Sequence, residues 1–415
     1  MIDRRPALIA RCATQADVIN AVNFARTHRL LVSVRGGGHN VTGSAICEGG
    51  IVIDLSQMKD IRVDPVKRTA WAEAGLTLAE FVGETQTFGL GTTVGTVSTT
   101  GLSGLTLGGG MGWLMGKYGL TVDNLLSVDL VTADGQAYSV NANEHPDLFW
   151  GVRGGGGNFD IATSFTFQLH PVGTLLAGMV AHPISQAREV LHFYREFSRS
   201  VPDELTAYAV LATMPDGLPV ILIALCYCGP LEEGELLTAP VRKFGPPVVD
   251  LIRPMSHLDL TTMIDTTSPA GRHYYEKSSS LKDLSDEAIE WIAQYGLTVT
   301  SPFTLVLIQH VHGAVCRITP TETAVSALRD ESYVISIVSM WEHDDAQRHI
   351  EWTRAFWAAL EPLAASGIYI NYLTDETEER KRASYGVNYE RLAALKNLYD
   401  PTNLFRMNQN IKPTL

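Results

Sequence analysis

Arg35-Gly36-Gly37-Gly38-His39-Asn40 follows an apolar run, Leu30 to Val34, and sets a histidine at the tip of a glycine turn. Three consecutive glycines leave the backbone free to take positive φ and to bring bare N–H groups against a pyrophosphate. The neighbouring imidazole is a nucleophile of near-neutral pKa. Such a loop can both cradle a ligand and be bonded to it, and the pairing points at a covalently held flavin. Taken alone, His39 is equally a turn histidine with no ligand.

Upstream of this loop, Thr14-Gln15-Ala16-Asp17 has the form of a helix N-cap, and Val18, Ala21, Val22 and Ala25 recur at helical spacing up to the basic end Arg26 to Arg29. Downstream, Ile51 to Asp54 reads as a strand, so the first sixty residues make a small α/β unit. Ile61 to Val63 and Thr69 to Ala74 flank Asp64-Pro65 as a hairpin, and Leu76 to Phe88 is amphipathic through Leu78, Phe81 and Val82. A second glycine tract fills Gly89 to Gly119. Then come a strand Leu125 to Thr132, a turn at Ala133-Asp134-Gly135, a return strand, and a third tract Gly154-Gly155-Gly156-Gly157-Asn158-Phe159. The three tracts are expected to converge on one ligand.

After His170-Pro171 the pattern changes. Strands at Leu175 to Ala181, Thr206 to Met214, Leu218 to Cys228, Phe303 to Ile308, Ala314 to Ile318 and Val334 to Trp341 alternate with helices at Ser185 to Ser198, Glu232 to Phe244 and Ala346 to Leu360. This predicts an antiparallel sheet with helices on one side. Trp341, Trp352, Phe356 and Trp357 read as core rather than as a sugar platform. Asp400-Pro401-Thr402-Asn403 closes a last helix in a polar, Asn-rich segment from Tyr385 to Leu415.

A length of 415 residues calls for two domains of roughly 150 to 200 residues each. The boundaries expected are 1–172, 173–368 and a returning segment 369–415. With 45% hydrophobic and 19% charged residues the composition is that of an ordinary globular α+β protein. The apolar stretch Leu218 to Cys228 is about half the roughly 20 residues a membrane span requires, and the N-terminus leads into no signal-peptide core. The expectation is a cytoplasmic protein without membrane association. Five scattered cysteines, two of them in Cys226-Tyr227-Cys228, form neither a disulfide framework nor a metal knuckle. A net charge of −13 opposes nucleic-acid binding. Any phosphate must then be held by local N–H groups.

A dinucleotide-binding Rossmann fingerprint fails on spacing. Gly36-x-Gly38 is followed by Val41 where the third glycine belongs, Gly154-x-Gly156 by Phe159, and Gly108-x-Gly110 by Trp113. There is no P-loop Gly-Lys-Ser/Thr, and Gly101-Leu102-Ser103-Gly104 falls one residue short of a hydrolase elbow. What remains resembles the flavoprotein family of vanillyl-alcohol oxidase and p-cresol methylhydroxylase, and within it the berberine-bridge-enzyme-like bacterial oxidoreductases. The likeness runs in order through Val34 to Asn40, Val97 to Gly101 with Leu107 to Leu114, Tyr118 to Asn124, Phe149 to Phe159, and Tyr399 to Asn410. The resemblance these motifs carry covers nearly the whole chain.

The resemblance implies an α+β fold: a p-cresol-methylhydroxylase-type (PCMH-type) FAD-binding domain of two α+β subdomains, with an inserted antiparallel-sheet substrate domain covered by helices. It implies FAD, bonded by its 8α-methyl to His39. Around His39 it places Arg35, Gly36, Gly37, Gly38, Asn40 and Ser44. From the second tract and its continuation it adds Val97, Thr100, Gly101, Gly104, Thr106, Gly108, Gly109, Gly110 and Asn124. Gly157, Asn158 and Ile161 come from the third tract, and Asn408 and Asn410 from the terminal signature. Many family members carry a second, cysteinyl tether at the position of Val97, so a single histidyl bond and a more enclosed site are expected. Two departures stand out: Asp160 replaces a common glycine, and relatives usually carry a further segment before the stretch like Met1 to Ala10.

Oxidation of an alcohol needs a base near the hydroxyl and a C–H held close to the flavin. Tyr369-Ile370-Asn371-Tyr372 supplies the candidates, read as an extended strand with its two tyrosines on opposite faces. Tyr372 matches the family's catalytic tyrosine; Tyr369 and a packed core tyrosine are the alternatives. Gln309, His310 and His312 are candidate substrate residues, with Gln309 on the face opposite His310; the two histidines are also readable as structural, and no third ligand or carboxylate pair supports a metal. The function implied is an FAD-dependent oxidase that removes hydride from a hydroxyl-bearing, or related C–H, small molecule and reduces dioxygen to hydrogen peroxide. A dehydrogenase using another acceptor and a non-catalytic flavin carrier are the competing readings. Substrate and dioxygen are the only partners implied, and the oligomeric state is left open.

Overall fold

The computed structural model describes residues 2–267, 269–343, 345–374 and 377–414, so the termini Met1 and Leu415 of the expected segments lie outside the described residues. Residues 8–171 build two sheets and a two-stranded ribbon. Leu8–Arg11, Ile51–Asp54 and Val32–Arg35 pair in parallel, with Ile51–Asp54 in the centre. The helix Gln15–Thr27 crosses this sheet, started by a capping box in which Thr14 and Asp17 satisfy each other's backbone N–H. Five antiparallel strands follow in the order Ile61–Asp64, Thr69–Glu73, Asp160–Gln168, Leu125–Thr132, Ala137–Asn141. A second capping box, Thr77 with Glu80, starts Leu78–Gln86.

From Leu175 to Trp341 the chain forms a large antiparallel sheet. Its order is Val249–Asp250, Leu175–Pro183, Pro219–Tyr227, Leu205–Thr213, Leu305–Val311, Ser332–Trp341, His273–Leu281, with Arg253–Met255 also pairing Leu175–Pro183. Alternation divides its side chains between two cores. Ile221, Ile223, Leu225, Ile308 and Ile335 pack under the helices Ala187–Ser198, Asp286–Gly296 and Ala346–Leu360. Tyr208, Leu222, Ala224 and Val334 face the other way and join the core of residues 8–171. Trp352 and Phe356 lie in the helix-covered core, and Trp357 donates its indole N–H to the Ser278 carbonyl at 3.2 Å.

Two sequence expectations are corrected, and two elements were not foreseen. Ala314–Arg317 is a helical turn, not a strand. The sheet partner ends at Val311, and Gly313 (φ +65°) then turns the chain against the Gly116 carbonyl, where a Cβ would stand 2.3 Å from the oxygen. Ile370–Tyr372 is a 3-10 turn, so the Tyr369 and Tyr372 rings do not oppose each other but meet edge to face at 5.0 Å. The strand His273–Leu281 and the helix Asp286–Gly296 were not expected at all. All five cysteines are free thiols, and no helix among the described residues is long and apolar enough to cross a membrane.

Candidate active site

The first and second glycine tracts touch backbone to backbone. A Cβ on Gly37 would lie 2.3 Å from the Gly101 nitrogen, and one on Gly101 would lie 2.2 Å from the Gly37 nitrogen, so no other residue permits this approach. The third tract joins through Gly156 N–H to the Leu107 carbonyl at 3.0 Å. The three tracts therefore converge. Among the described residues the N–H groups of Gly36, Gly37, Gly38 and His39 find no protein acceptor. His39 leaves this loop with Nε2 3.2 Å from Thr99 Oγ1. Desolvation pulls its pKa below the ordinary value while the charge of Asp265 pulls it back, which favours the uncharged, nucleophilic form.

The C-terminal segment closes the other side. Asn408 Nδ2 donates to the Gly157 carbonyl at 2.7 Å, and Ile411 N–H donates to Asn158 Oδ1 at 2.9 Å. Lys396, fully buried, ties the Asn158 and Phe405 carbonyls to Asp400 at 2.7 to 2.9 Å. The Oδ1 atoms of Asn408 and Asn410 are buried without a partner. Buried acceptors and free N–H groups around a glycine bed fit a ligand with both phosphates and amide-like edges, which is the chemistry of FAD.

Facing this bed are two tyrosines with different environments. Tyr369 is buried, and its Oη accepts from Gly110 N–H at 2.8 Å and from Asn371 Nδ2 at 2.7 Å. Tyr372 is half-buried and donates to Gln309 Oε1 at 2.8 Å, joining the C-terminal segment to the large sheet. Burial raises the pKa of both phenols, Tyr372 well above the ordinary value, and the charge of Glu276 adds to the Tyr372 shift. Glu276 sits on the same sheet face. Ser336 and Ser278 hydroxyls bond its Oε1 at 2.5 and 3.5 Å, yet burial pushes its pKa up to about 7.

Comparison with known proteins names this arrangement. Residues 6–141 match a family model described as an FAD binding domain, and residues 368–412 match one described as berberine and berberine-like. A FAD-linked oxidoreductase of Dictyostelium discoideum is 35% identical over 98% of this chain and 89% of its own length. The (R)-6-hydroxynicotine oxidase of Paenarthrobacter nicotinovorans is 30% identical over 99% of this chain and 92% of that protein. The chain is an FAD-linked oxidoreductase of the berberine-bridge-enzyme-like family. The crystal structure of 6-hydroxy-D-nicotine oxidase from Arthrobacter nicotinovorans has the same architecture, with a TM-score of 0.91 at 30% identity, covering 99% of this chain and 93% of that one.

Not every expected residue of the oxidoreductase reaches the bed with a free group. Asn124 spends its amide on the Tyr118 and Leu120 carbonyls and its oxygen on His170, and Thr106 bonds the Leu102 carbonyl. Both shape the tract from behind. Asn40 and Ser44 bond Thr42, while Arg35 is half-exposed with a guanidinium nitrogen 4.0 Å from Asp54. Gly104 has open space at its Cβ position, Gly109 and Gly110 take positive φ, and a Cβ on Gly108 would strike Asn371. Val97 accepts from Thr100 N–H through its carbonyl, and Ile161 is a buried strand residue opposite Val131.

His310 and His312 lie away from Gln309. Their rings stack at 4.8 Å, His310 also packs on Tyr333 and contacts Glu331 at 3.1 Å, and a Cβ on Gly116 would lie 2.8 Å from His312 Nε2. Strand alternation turns His310 to the helix-covered side. No group of three or more His, Cys, Asp or Glu suited to a metal ion occurs among the described residues. Sequence reasoning missed Glu276, hidden in a Lys-Ser-Ser-Ser context, and Asp265, which has no local motif. It noticed Asp160 only as an oddity; the carboxyl is buried with both oxygens unpartnered, and burial pushes its pKa up to about 8.

Proposed function

We propose that the oxidoreductase is an oxidase of CH–OH donors: it removes hydride from a hydroxyl-bearing, or related C–H, small molecule, with dioxygen reduced to hydrogen peroxide and a carbonyl compound released. FAD when bound supplies the hydride acceptor, held through a single bond to His39 because Val97 offers no second nucleophile. The observation that carries this reading is His39, held to Thr99 beside a glycine bed whose N–H groups find no protein acceptor among the described residues. The substrate fits between that bed and the sheet face bearing Gln309 and Glu276. Tyr372 directs its own proton at Gln309, which leaves the phenol oxygen's lone pairs to receive a substrate hydroxyl. A phenol with a raised pKa is a poor base at neutral pH, so a carboxylate that titrates near neutrality is needed nearby. Glu276 meets that need. Tyr369, committed to Gly110 and Asn371, anchors the glycine tract. On this reading the polypeptide works in the cytoplasm, with substrate and dioxygen as the partners it implies and its oligomeric state left open.

Intact mass of acid-denatured protein tests the bond: an added FAD mass that disappears in His39→Ala is expected. Anaerobic mixing with alcohols, sugars and cyclic amines, followed by air, tests the reaction. Bleaching by a hydroxyl compound and recovery with one peroxide per carbonyl is expected; recovery only with an artificial acceptor overturns the oxidase reading.

A further inference from the structure

Asp265 belongs to the part of the chain that follows residue 172, yet it is fastened to the glycine bed. Its Oδ1 accepts Ser98 N–H at 2.9 Å and its Oδ2 accepts the Ser98 hydroxyl at 2.5 Å. The next residue, Thr99, holds His39. Consecutive residues of one loop thus fix a carboxylate and an imidazole beside each other, and Gly37 against Gly101 locks that loop to the one bearing His39. A two-point grip on a carboxylate is more than closing two lobes requires, and it fixes where the charge points.

Resting on the His39 tether proposed above, we infer that Asp265 is the positioning group that makes His39 competent to bond to FAD. In that step an imidazole nitrogen forms a C–N bond to the 8α carbon. One proton leaves that carbon and one leaves the imidazole, two electrons pass to the flavin ring, and dioxygen removes them as hydrogen peroxide. While the bond forms and the imidazole still carries its N–H, the ring is positive. Burial opposes that charge, and a fixed carboxylate favours it. Asp265 serves the making of the holoenzyme and takes no part in substrate oxidation.

The test follows tether formation in full-length protein incubated with excess FAD in air, sampled for intact mass after acid denaturation and for total bound flavin before it. Asp265→Asn keeps the shape and removes the charge; it is expected to bind FAD but to form the covalent product at least about tenfold more slowly, the effect of one pKa unit. Asp265→Glu, which keeps the charge, is expected to recover most of the rate, and Ser98→Ala to lose less than Asp265→Asn. Asp265→Asn tethering at the parental rate, or Asp265→Glu as slow as Asp265→Asn, overturns the inference. A parent protein whose FAD is released entirely by acid overturns the His39 tether itself, a result seen before any variant is compared.

Discussion

Gly37 and Gly101 leave each other no room, and this makes the glycine bed intolerant of a single methyl group. Gly37→Ala should force the two loops apart at a cost of about 1–3 kcal/mol and abolish flavin binding, read as a lower Tm and a colourless protein. Glu276 governs the second prediction. With a pKa of about 7, it should impose a rise in the rate of anaerobic flavin reduction as pH passes through neutrality. Glu276→Gln should flatten that rise in stopped-flow measurements, and an unchanged profile would remove Glu276 from the proton path. The glycine bed was legible because consecutive glycines announce a close backbone approach, which Gly37 and Gly101 make. Glu276 was not, since its importance comes from the sheet that buries it and from Ser336 on a strand sixty residues away.

The helix Tyr389–Tyr399 carries one side chain that does more than pack. Lys396 and Asp400 are both wholly buried, and Asp400 also accepts Leu404 and Phe405 N–H groups at 2.7 and 2.9 Å. Lys396→Met would leave that carboxylate uncompensated, at a cost of roughly 3–5 kcal/mol. The double variant Lys396→Met, Asp400→Asn should recover part of this in chemical denaturation. Elements with strong periodicity or caps, such as Gln15–Thr27 and Pro219–Tyr227, were readable from local pattern. His273–Leu281 was not, because its apolar alternation is broken by Glu276 and three serines that become buried only when Ser332–Trp341 pairs with it. At Ala314 an apolar run suggested a strand, but a single left-handed glycine had already turned the chain. The 3-10 turn at Tyr372 likewise depends on Gly110 and Gln309, both distant in sequence.

For the molecule as a whole, buried titratable groups set a pH window. Asp160 and Glu276 have folded pKa values of about 8 and 7, above the ordinary carboxyl range, so each contributes stability at low pH that is lost as pH rises through those values. Burial depresses His257 to about 4 and lowers His310 and His312 as well; their contribution is present above the ordinary imidazole value and lost as pH falls below it. The two trends oppose each other below about pH 6.5, and above it the carboxyls act alone. Stability should therefore fall from pH 6.5 to 8, by about 2 kcal/mol through Asp160, and Asp160→Asn should flatten this stretch of a Tm-versus-pH curve. The order in which parts of the chain become available matters too. Ile411 and Asn408 bond the loop at Gly157-Asn158, some 250 residues earlier in the chain. During translation residues 408–411 are made long after the glycine loops have emerged, so a nascent chain holds an unfinished bed until they follow. A message cut short ahead of Asn408 would yield a product that is mostly folded and permanently pale.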